Sequence, residues 1–385
     1  MVISDRIKIG DWIAYGCILL AALVPFSDSL NPIALYGAIP IAFLWCFSRY
    51  SVCKANPTMH VILALYIWLC VCALFAIDWE SVNRELRSVL GAFILCYAVG
   101  ALALRDRLLP LLYGVYIVLL ISAWLYAKDN ILNVIDFGEQ RLNDSKLNAN
   151  TLAYYTFYVT VAIYMLGELL KGTFKTIFRY LLFLMIVVSF ITAIYTGSRQ
   201  VLLIQVPLLA FLIWCRYLRK SVKNIAMLLG VFLLAVVLFM NFGAAIYENS
   251  TLKKRSEVVL REDSRVGLVG ETIELGMQRP LFGYGPGCVH KVTKSGKGAH
   301  NSFLELFVNT GFIGALIFWI MIYRFLKLQY RRWKYTKDRM FLAFLLFGFI
   351  WLADQMFFSF YADLWLMSFF VLVAAHSERY YKSIS

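Results

Sequence analysis

The residues with the clearest chemical potential lie around His300, where a polar loop meets an apolar run. His300 is followed by Asn301 and Ser302, residue types that cap helix N-termini, and the apolar run begins at Phe303. The imidazole is therefore expected beside the positive end of a helix dipole, which favours its neutral form. A neutral histidine can act as a general base. The alternative is a histidine that only precedes a capped helix.

Two glycines follow in the same apolar run. Gly311 is eleven residues after His300, about three helical turns, and Gly314 lies about one turn further. A regular helix would carry all three residues on one face. Because glycines allow membrane helices to approach closely, the spacing predicts that a neighbouring helix packs beneath the histidine. The same face also fits an ordinary small-residue packing surface.

Three arginines are candidates for binding a phosphate group. Arg199 lies in a turn between two apolar runs, Arg265 in a long polar loop, and Arg141 in a polar segment before another apolar run. The planar guanidinium can donate two parallel hydrogen bonds to phosphate oxygens. The structural alternatives are snorkelling of Arg199 to lipid head groups and a solvated helix face for Arg265. In the segment of Arg141, helix capping by Asn150 or Thr151 is the alternative.

Several other polar residues carry weaker indications. Glu305 and Asp354 fall inside apolar runs, where a carboxylate is costly unless it faces a partner. Either could orient a basic group or bind a substrate hydroxyl, and either could make only a structural hydrogen bond between helices. His60, His290 and His376 have no matching partner in the sequence, and no role is assigned to them.

Apolar helices must position these residues. The chain is 61% hydrophobic and only 16% charged, a balance that a water-soluble globule could not carry on its surface. The net charge is +14, but the basic residues lie in short segments between apolar runs, where they set orientation and meet anionic head groups. Membrane lipid is therefore an expected partner, and nucleic acid is not. The cysteines form neither a disulfide framework nor a metal-ligand spacing.

The fold class predicted from the apolar runs is all-α, a polytopic membrane protein with about twelve transmembrane helices. The runs cover 11–27, 32–48, 59–77, 88–104, 108–126, 151–170, 178–196, 200–216, 224–246, 303–323, 340–358 and 361–376. Basic residues concentrate in alternate loops, and the positive-inside rule places those loops and both termini in the cytoplasm. The predicted organisation is transmembrane helices in 1–246, one large periplasmic loop at 247–302, and further helices with a cytoplasmic tail in 303–385. His300, Arg199 and Arg265 then lie on the periplasmic side.

Some motifs are missing from the sequence. The predicted external loops contain no Asp-x-Asp, His-x-x-x-His or Glu-x-x-His pattern, and the chain has neither a Walker loop nor Gly-x-Gly-x-x-Gly. Metal-dependent hydrolysis and ATP-driven transport are therefore disfavoured, and no metal or cofactor is expected. Arginines beside a histidine instead suit a reaction in which a diphosphate leaves and a hydroxyl attacks.

These motifs resemble a known family, the bacterial O-antigen ligases and polymerases. The main resemblance is His300-Asn301, nine residues, and then Gly311-Phe312-Ile313-Gly314. Supporting resemblances are Ser198-Arg199, Ser264-Arg265 ahead of the segment 280–287, and Arg141 with Asn148 and Asn150 before an apolar run. The predicted number of helices, their orientation and the large loop before the last helices also agree.

The resemblance implies a GT-C-like glycosyltransferase in the inner membrane of a Gram-negative bacterium. A lipopolysaccharide core surface polymer ligase of this kind moves O-antigen from undecaprenyl diphosphate to the lipid A-core, with inversion and without a metal or nucleotide sugar. By this resemblance Arg199 and Arg265 hold the diphosphate, Arg141 is a looser match, and His300 activates the acceptor hydroxyl. Asn301, Gly311 and Gly314 are expected to support the site.

Three alternatives stay open at the level of sequence. An O-antigen polymerase would use the same donor with a second undecaprenyl-diphosphate-linked glycan as acceptor. A protein O-glycosylating transferase is disfavoured, because such relatives carry an additional soluble C-terminal portion. A polysaccharide flippase or transporter, the non-enzyme alternative, would show charged or broken helices at mid-membrane instead of basic residues gathered at one external surface.

Overall fold

The computed structural model describes residues 7–50, 56–137, 147, 149–196, 206–217, 264–356 and 361–384, and these residues form helices without any strand. The first helices are α1 Ile9–Leu23, α2 Leu30–Arg49, α3 Pro57–Ala73, α4 Trp79–Leu102 and α5 Leu108–Phe137. They are followed by α6 Ala149–Leu169, α7 Gly172–Thr196, α8 Val206–Tyr217, α9 Ser264–Gln278, α10 Val289–Val292, α11 Ser302–Thr336, α12 Arg339–Gln355 and α13 Leu364–Ile384. Within α2, Ala34–Ala38 is π-helical.

Among the described residues, 6 helices are long and apolar enough to cross a membrane. They contain the stretches Leu30–Arg49, Trp79–Leu102, Leu108–Ala127, Thr151–Leu169, Gly172–Ser189 and Ser302–Thr336, while α1 and α3 are shorter apolar helices. Each predicted span within the described ranges overlaps a helix, and the span predicted at 224–246 lies outside them. The all-α class is confirmed, and the full number of twelve spans stays a prediction.

Capping side chains explain where several helices begin. Asn56, Asp78, Asn301, Asp338 and Asp363 each precede a helix and accept a hydrogen bond from a backbone N–H two or three residues later. Each cap satisfies a donor that has no partner inside the helix. The sequence therefore fixes these boundaries locally, whatever the helices pack against.

The chain forms two compact units. The first comprises Met1–Ile18, Leu35–Leu109 and Leu260–Ser385, and the second comprises Leu19–Ala34 and Pro110–Val259. In the first unit α11 packs against α3, α9 and α12, and α4 packs against α13. In the second unit the main packing is between α6 and α7. Among the described residues, those of the candidate site belong to the first unit.

Aromatic side chains form much of the core of the first unit. The Trp351 ring lies 4.3 Å from that of Phe370 and 5.7 Å from that of Phe318, and all three side chains are buried. These contacts join α11, α12 and α13. Close aromatic packing of this kind holds the part of α11 around Phe318 in a fixed position against α12 and α13.

Candidate active site

His300 lies immediately before α11 in an unusual backbone conformation. Its φ is 51°, in the left-handed region that few residues other than glycine adopt. Its backbone N–H donates to Oε1 of Glu305 at 3.1 Å. A non-glycine residue is retained in this conformation when its surroundings over-determine it, often at a functional site. The structure therefore adds a geometric reason to regard His300 as functional.

The predicted cap after the histidine is present. Asn301 has extended backbone angles, and its side-chain oxygen accepts from the N–H groups of Phe303 at 3.0 Å and Leu304 at 3.1 Å. Together with the bond from His300 to Glu305, this cap fixes the entry of the chain into α11. His300 consequently lies directly before the N-terminal, positive end of α11, as the sequence predicted.

The C-terminal end of α12 braces the same helix start. The Ser302 hydroxyl donates to Oε1 of Gln355 at 2.6 Å, and Nδ2 of Asn301 donates to the Met356 carbonyl at 3.3 Å. Ser302, Gln355 and the neighbouring Asp354 are buried. Asp354 thus lies close to the brace, while its function stays open as it did in the sequence.

The expectation of one regular helical face through His300, Gly311 and Gly314 is wrong. Gly311 has φ 71° and ψ −173°, so α11 is interrupted there. This combination of angles is essentially restricted to glycine. The helix that continues beyond the interruption does not keep the register of the first part. The spacing of eleven residues therefore does not place the glycine on the face that carries His300.

The segment 280–287 occupies the interruption. The Phe312 N–H donates to the Pro280 carbonyl at 2.7 Å, and the N–H groups of Tyr284 and Gly285 donate to the carbonyls of Val308 and Asn309, each at 2.9 Å. These bonds replace part of the helical hydrogen bonding that the interruption removes. The close neighbour of Gly311 is therefore the backbone of this segment, and the prediction that a helix packs there is wrong.

Gly314 does face a neighbouring helix. A Cβ atom at this position would overlap the Thr310 hydroxyl and would lie 3.2 Å from the ring of Trp68 in α3. The Trp68 indole N–H donates to the Thr310 carbonyl at 2.9 Å. The absence of a side chain at Gly314 thus lets α3 approach the interrupted region and satisfy one of its carbonyls.

Glu305 belongs to a cluster that the sequence did not reveal. Its side chain is 7% exposed. A Cβ atom at Gly298 would lie 2.5 Å from Oε1 of Glu305 and 2.9 Å from Cε1 of His290, so both side chains abut this glycine. Glu305 therefore accepts a hydrogen bond from the His300 backbone, and both Glu305 and the loop histidine His290 lie against Gly298. His290, to which the sequence assigned no role, lies within the candidate site.

Asn309 and Tyr361 extend this cluster to α4. The Val289 N–H donates to Oδ1 of Asn309 at 2.9 Å, and Nδ2 of Asn309 donates to the Tyr361 hydroxyl at 3.1 Å. The Tyr361 hydroxyl in turn donates to the carboxylate of Glu85, and His290 lies near the same carboxylate. We call Glu85, Glu305, Asn309 and Tyr361 the buried polar cluster, and the exposed His290 lies at its edge. No spacing in the sequence could have linked these residues, because they come from four separate segments.

Burial raises the pKa of Tyr361 well above its usual range, and the nearby carboxylates Glu85 and Glu305 raise it further. The phenol is therefore protonated at neutral pH and acts as the donor to Glu85. Removing the hydroxyl would leave the Glu85 carboxylate and the Asn309 amide each short of a partner.

Tyr361→Phe should therefore destabilise the protein by about 1–3 kcal/mol, because buried polar partners become unpaired. The measurement is the midpoint of thermal unfolding in detergent. Tyr330→Phe is the matched control, since Tyr330 is 49% exposed on α11 and its hydroxyl is not buried. Equal midpoints for the two variants would show that the hydroxyl of Tyr361 does not support the cluster.

Ionic and backbone contacts hold the loop before His300 against the first unit. The Lys291 ammonium lies 3.7 Å from Oδ2 of Asp78, and the Lys294 N–H donates to Oε1 of Glu271 at 2.6 Å. The pKa of Asp78 is lowered, chiefly by its hydrogen bonds from Ser81 and also by Lys291. The described part of this basic loop, 264–301, therefore packs back onto the helices of the first unit.

Of the three candidate arginines, the structure describes the backbone of Arg265. This residue follows Ser264 at the start of α9, as the sequence predicted for a loop helix. A Cβ atom at Gly276 of α9 would overlap the Phe307 ring of α11. Further along both segments, the Pro280 carbonyl accepts a hydrogen bond from the Phe312 N–H. Because the later residues of each segment also lie together, α9 and the first part of α11 run in the same direction. Arg265 consequently lies at the same end of this helix pair as His300. Arg199 and Arg141 lie outside the described residues.

The fold and the site define a class: an all-helical, multi-pass membrane protein with a histidine at the capped end of a long apolar helix. A sequence model of the O-antigen ligase family matches residues 184–319. This match covers about a third of the chain and supports the predicted resemblance to the O-antigen ligase/polymerase superfamily. No curated protein matches the chain.

The matched region contains most of the candidate site. It includes Arg199, Arg265, His300, Gly311 and Gly314, whereas Arg141 precedes it. The match supports a glycosyltransferase-like enzyme with ligase or polymerase activity, without distinguishing the two.

Proposed function

We propose that the protein is an O-antigen ligase. It transfers O-antigen polysaccharide from undecaprenyl diphosphate to the lipid A-core oligosaccharide. The observation that carries this proposal is the geometry of His300, a left-handed residue bonded to Glu305 at the capped start of α11, inside the region that matches the family. A base held rigidly at a helix end suits proton abstraction from a hydroxyl.

The proposed reaction is a single displacement at the anomeric carbon of the donor sugar. The acceptor hydroxyl oxygen attacks this carbon as His300 removes the hydroxyl proton. The bond from the carbon to the diphosphate oxygen breaks, and undecaprenyl diphosphate leaves with the electron pair. Attack opposite the leaving group inverts the configuration of the transferred sugar. Arg199 and Arg265 neutralise the growing charge on the diphosphate, with Arg141 as a further contact.

Other residues position the base in this proposal. Glu305 fixes the backbone of His300 through its N–H, and Asn301 caps the helix behind it. Gly311 admits the backbone of the segment 280–287, and Gly314 lets α3 approach. None of the four needs to touch the substrate. Their substitution should therefore reduce activity through the placement of His300.

The proposed setting is the inner membrane of a Gram-negative bacterium, with both termini cytoplasmic and the active site in the periplasm. The distribution of basic loops supports this orientation. A transporter is the non-enzyme alternative, and α11 is indeed a broken helix. However, the carbonyls of Val308, Asn309 and Thr310 at the break accept hydrogen bonds from protein donors, so these carbonyls are already occupied, unlike those that coordinate ions in transporters.

Gene deletion distinguishes the ligase from a polymerase of the same superfamily. We expect the deletion strain to lose all O-antigen from its lipopolysaccharide, because every chain must pass through the ligation step. The measurement is the lipopolysaccharide pattern on a gel, with the wild-type gene supplied on a plasmid as the control. Lipopolysaccharide that keeps single O-antigen repeats would identify a polymerase instead. An unchanged pattern would contradict both.

A further inference from the structure

A cavity of about 470 Å³ lies at the ends of α3 and α11 that are remote from His300. Its walls come from the first turns of α3, from residues 321–332 of α11, and from Ala374 and Glu378 of α13. This volume falls within the roughly 300–1,000 Å³ that is typical of small-molecule sites. Neither the proposed transfer reaction nor its residues involve this part of the fold.

The cavity is strongly basic. Arg324, Lys327, Arg331 and Arg332 line it, together with one acidic residue, Glu378. Glu378 is already paired with Arg332 at 2.8 Å. Within the described ranges, the three other cations form no ion pair. Their spacing places them along one side of α11, so their charges add at the mouth of the same cavity.

Arg332 forms a buried wall of the cavity. The residue is 6% exposed, its Nη1 donates to the Ser377 hydroxyl at 3.0 Å, and its guanidinium carbon lies 4.7 Å from the centre of the Tyr381 ring. The Nε–H is buried and has no acceptor among the residues that the structure describes. A buried donor without an acceptor is costly, so an anionic ligand oxygen would complete the coordination of this guanidinium.

The start of α3 contributes a second attraction for anions. Asn56 caps this helix by accepting from the Thr58 N–H at 3.1 Å, and Asn56, Pro57 and Thr58 all line the cavity. The positive end of the helix dipole is therefore directed at the same space as the basic side chains. A helix N-terminus combined with several guanidinium groups is the arrangement that binds phosphate.

We propose that this cavity binds a phosphate group, supplied either by an anionic phospholipid head group or by a soluble phosphate compound. The adjoining surface fits the lipid source, since Tyr323 lines the cavity, is 48% exposed, and lies on a helix long enough to cross a membrane. By the predicted orientation, this site faces the cytoplasm. The proposal is independent of the transfer reaction.

The test compares two charge removals on α11. Arg331 lines the cavity, whereas Lys334, three residues later and also exposed, does not. Delipidated full-length protein in detergent is titrated with phosphatidylglycerol, phosphatidylcholine, inorganic phosphate or pyrophosphate, and the midpoint of thermal unfolding is followed. We expect Arg331→Gln to weaken the apparent affinity for phosphatidylglycerol about tenfold or more. Lys334→Gln should leave it close to that of the wild type.

The outcomes separate the two sources. A shift of the unfolding midpoint with phosphatidylglycerol alone, lost in Arg331→Gln, supports a lipid head group. If phosphate or pyrophosphate shifts the unfolding midpoint and Arg331→Gln removes that shift, the result supports a soluble phosphate compound as the ligand. An equal loss of affinity in Arg331→Gln and Lys334→Gln would overturn the proposal, because it would show that the ligand responds to the total positive charge of the helix and does not bind in the cavity. The absence of any shift in the wild-type protein would overturn it as well.

Discussion

His300→Asn is expected to lower the rate of glycan transfer by about 10²–10⁴-fold, the usual contribution of a general base. Asparagine cannot take up the hydroxyl proton, but it tolerates the left-handed backbone that His300 adopts. The bond from the backbone N–H to Glu305 is also kept. The variant should therefore fold normally. The assay is transfer from lipid-linked glycan to rough lipopolysaccharide by purified protein, with kcat and KM determined separately.

Two further histidine variants sharpen this experiment. His60→Asn changes an exposed residue of α3 and should leave both activity and stability unaltered. His290→Asn changes the exposed histidine at the edge of the buried polar cluster and tests whether the second histidine near Glu305 also participates. Full activity of folded His300→Asn would contradict the proposed mechanism. If only His290→Asn is inactive, the base has been assigned to the wrong histidine.

Local sequence signals predicted the part of the site that depends on neighbouring residues. The apolar run after Phe303, the asparagine before it and the polar loop ahead of it are sufficient to place a capped helix start beside His300. The helix that carries Arg265 ends shortly before Pro280 and the glycines near it, residue types that favour a turn. Each of these features depends on interactions between residues only a few positions apart.

The interruption at Gly311 depends on contacts from distant segments. A glycine in an apolar run fits both a packing face and a break, and the sequence favours neither. The break becomes favourable because Pro280, Tyr284 and Gly285 supply hydrogen-bonding partners around it, and Trp68 supplies another. Such compensation requires the tertiary fold, so periodicity alone gave the wrong geometry for the residues beneath His300.

The buried polar cluster was missed for a related reason. Glu85 precedes Glu305 by most of the chain, and Tyr361 belongs to a short connection between α12 and α13. In the sequence, each appears as an isolated polar residue in or beside an apolar run. Only packing shows that the Tyr361 hydroxyl bridges Asn309 and Glu85. A lone polar residue in a membrane segment indicates that some other polar group must pair with it, but the sequence does not identify that group.

The interruption and the histidine are mechanically connected. Nine residues separate Asn301 from Gly311, and both ends of this stretch are fixed, one by the cap and the brace from α12, the other by the segment 280–287. A stretch anchored at both ends has little freedom to rotate. The orientation of His300 should thus depend on Gly311 even though the two residues are distant along the helix.

Gly311→Ala is accordingly expected to be severely destabilising. Its backbone angles alone cost a residue with a side chain about 1–3 kcal/mol. The added Cβ atom would also overlap the Leu281 carbonyl, and Pro280 O would lie 2.6 Å from it. This backbone cannot withdraw without breaking the bond from the Phe312 N–H to Pro280. We expect a total cost above about 3 kcal/mol, measured as a lowered unfolding midpoint and a reduced yield of monodisperse protein.

Gly270→Ala provides the matched control for this substitution. Gly270 lies in α9, and a Cβ atom there would meet nothing within 4 Å. Alanine at an open helical position should stabilise the helix by about 0.5–1 kcal/mol. The two glycines should therefore respond in opposite directions to the same change. A Gly311→Ala variant as stable and as active as Gly270→Ala would mean that α11 can run unbroken past residue 311, and the dependence of His300 on the interruption would be wrong.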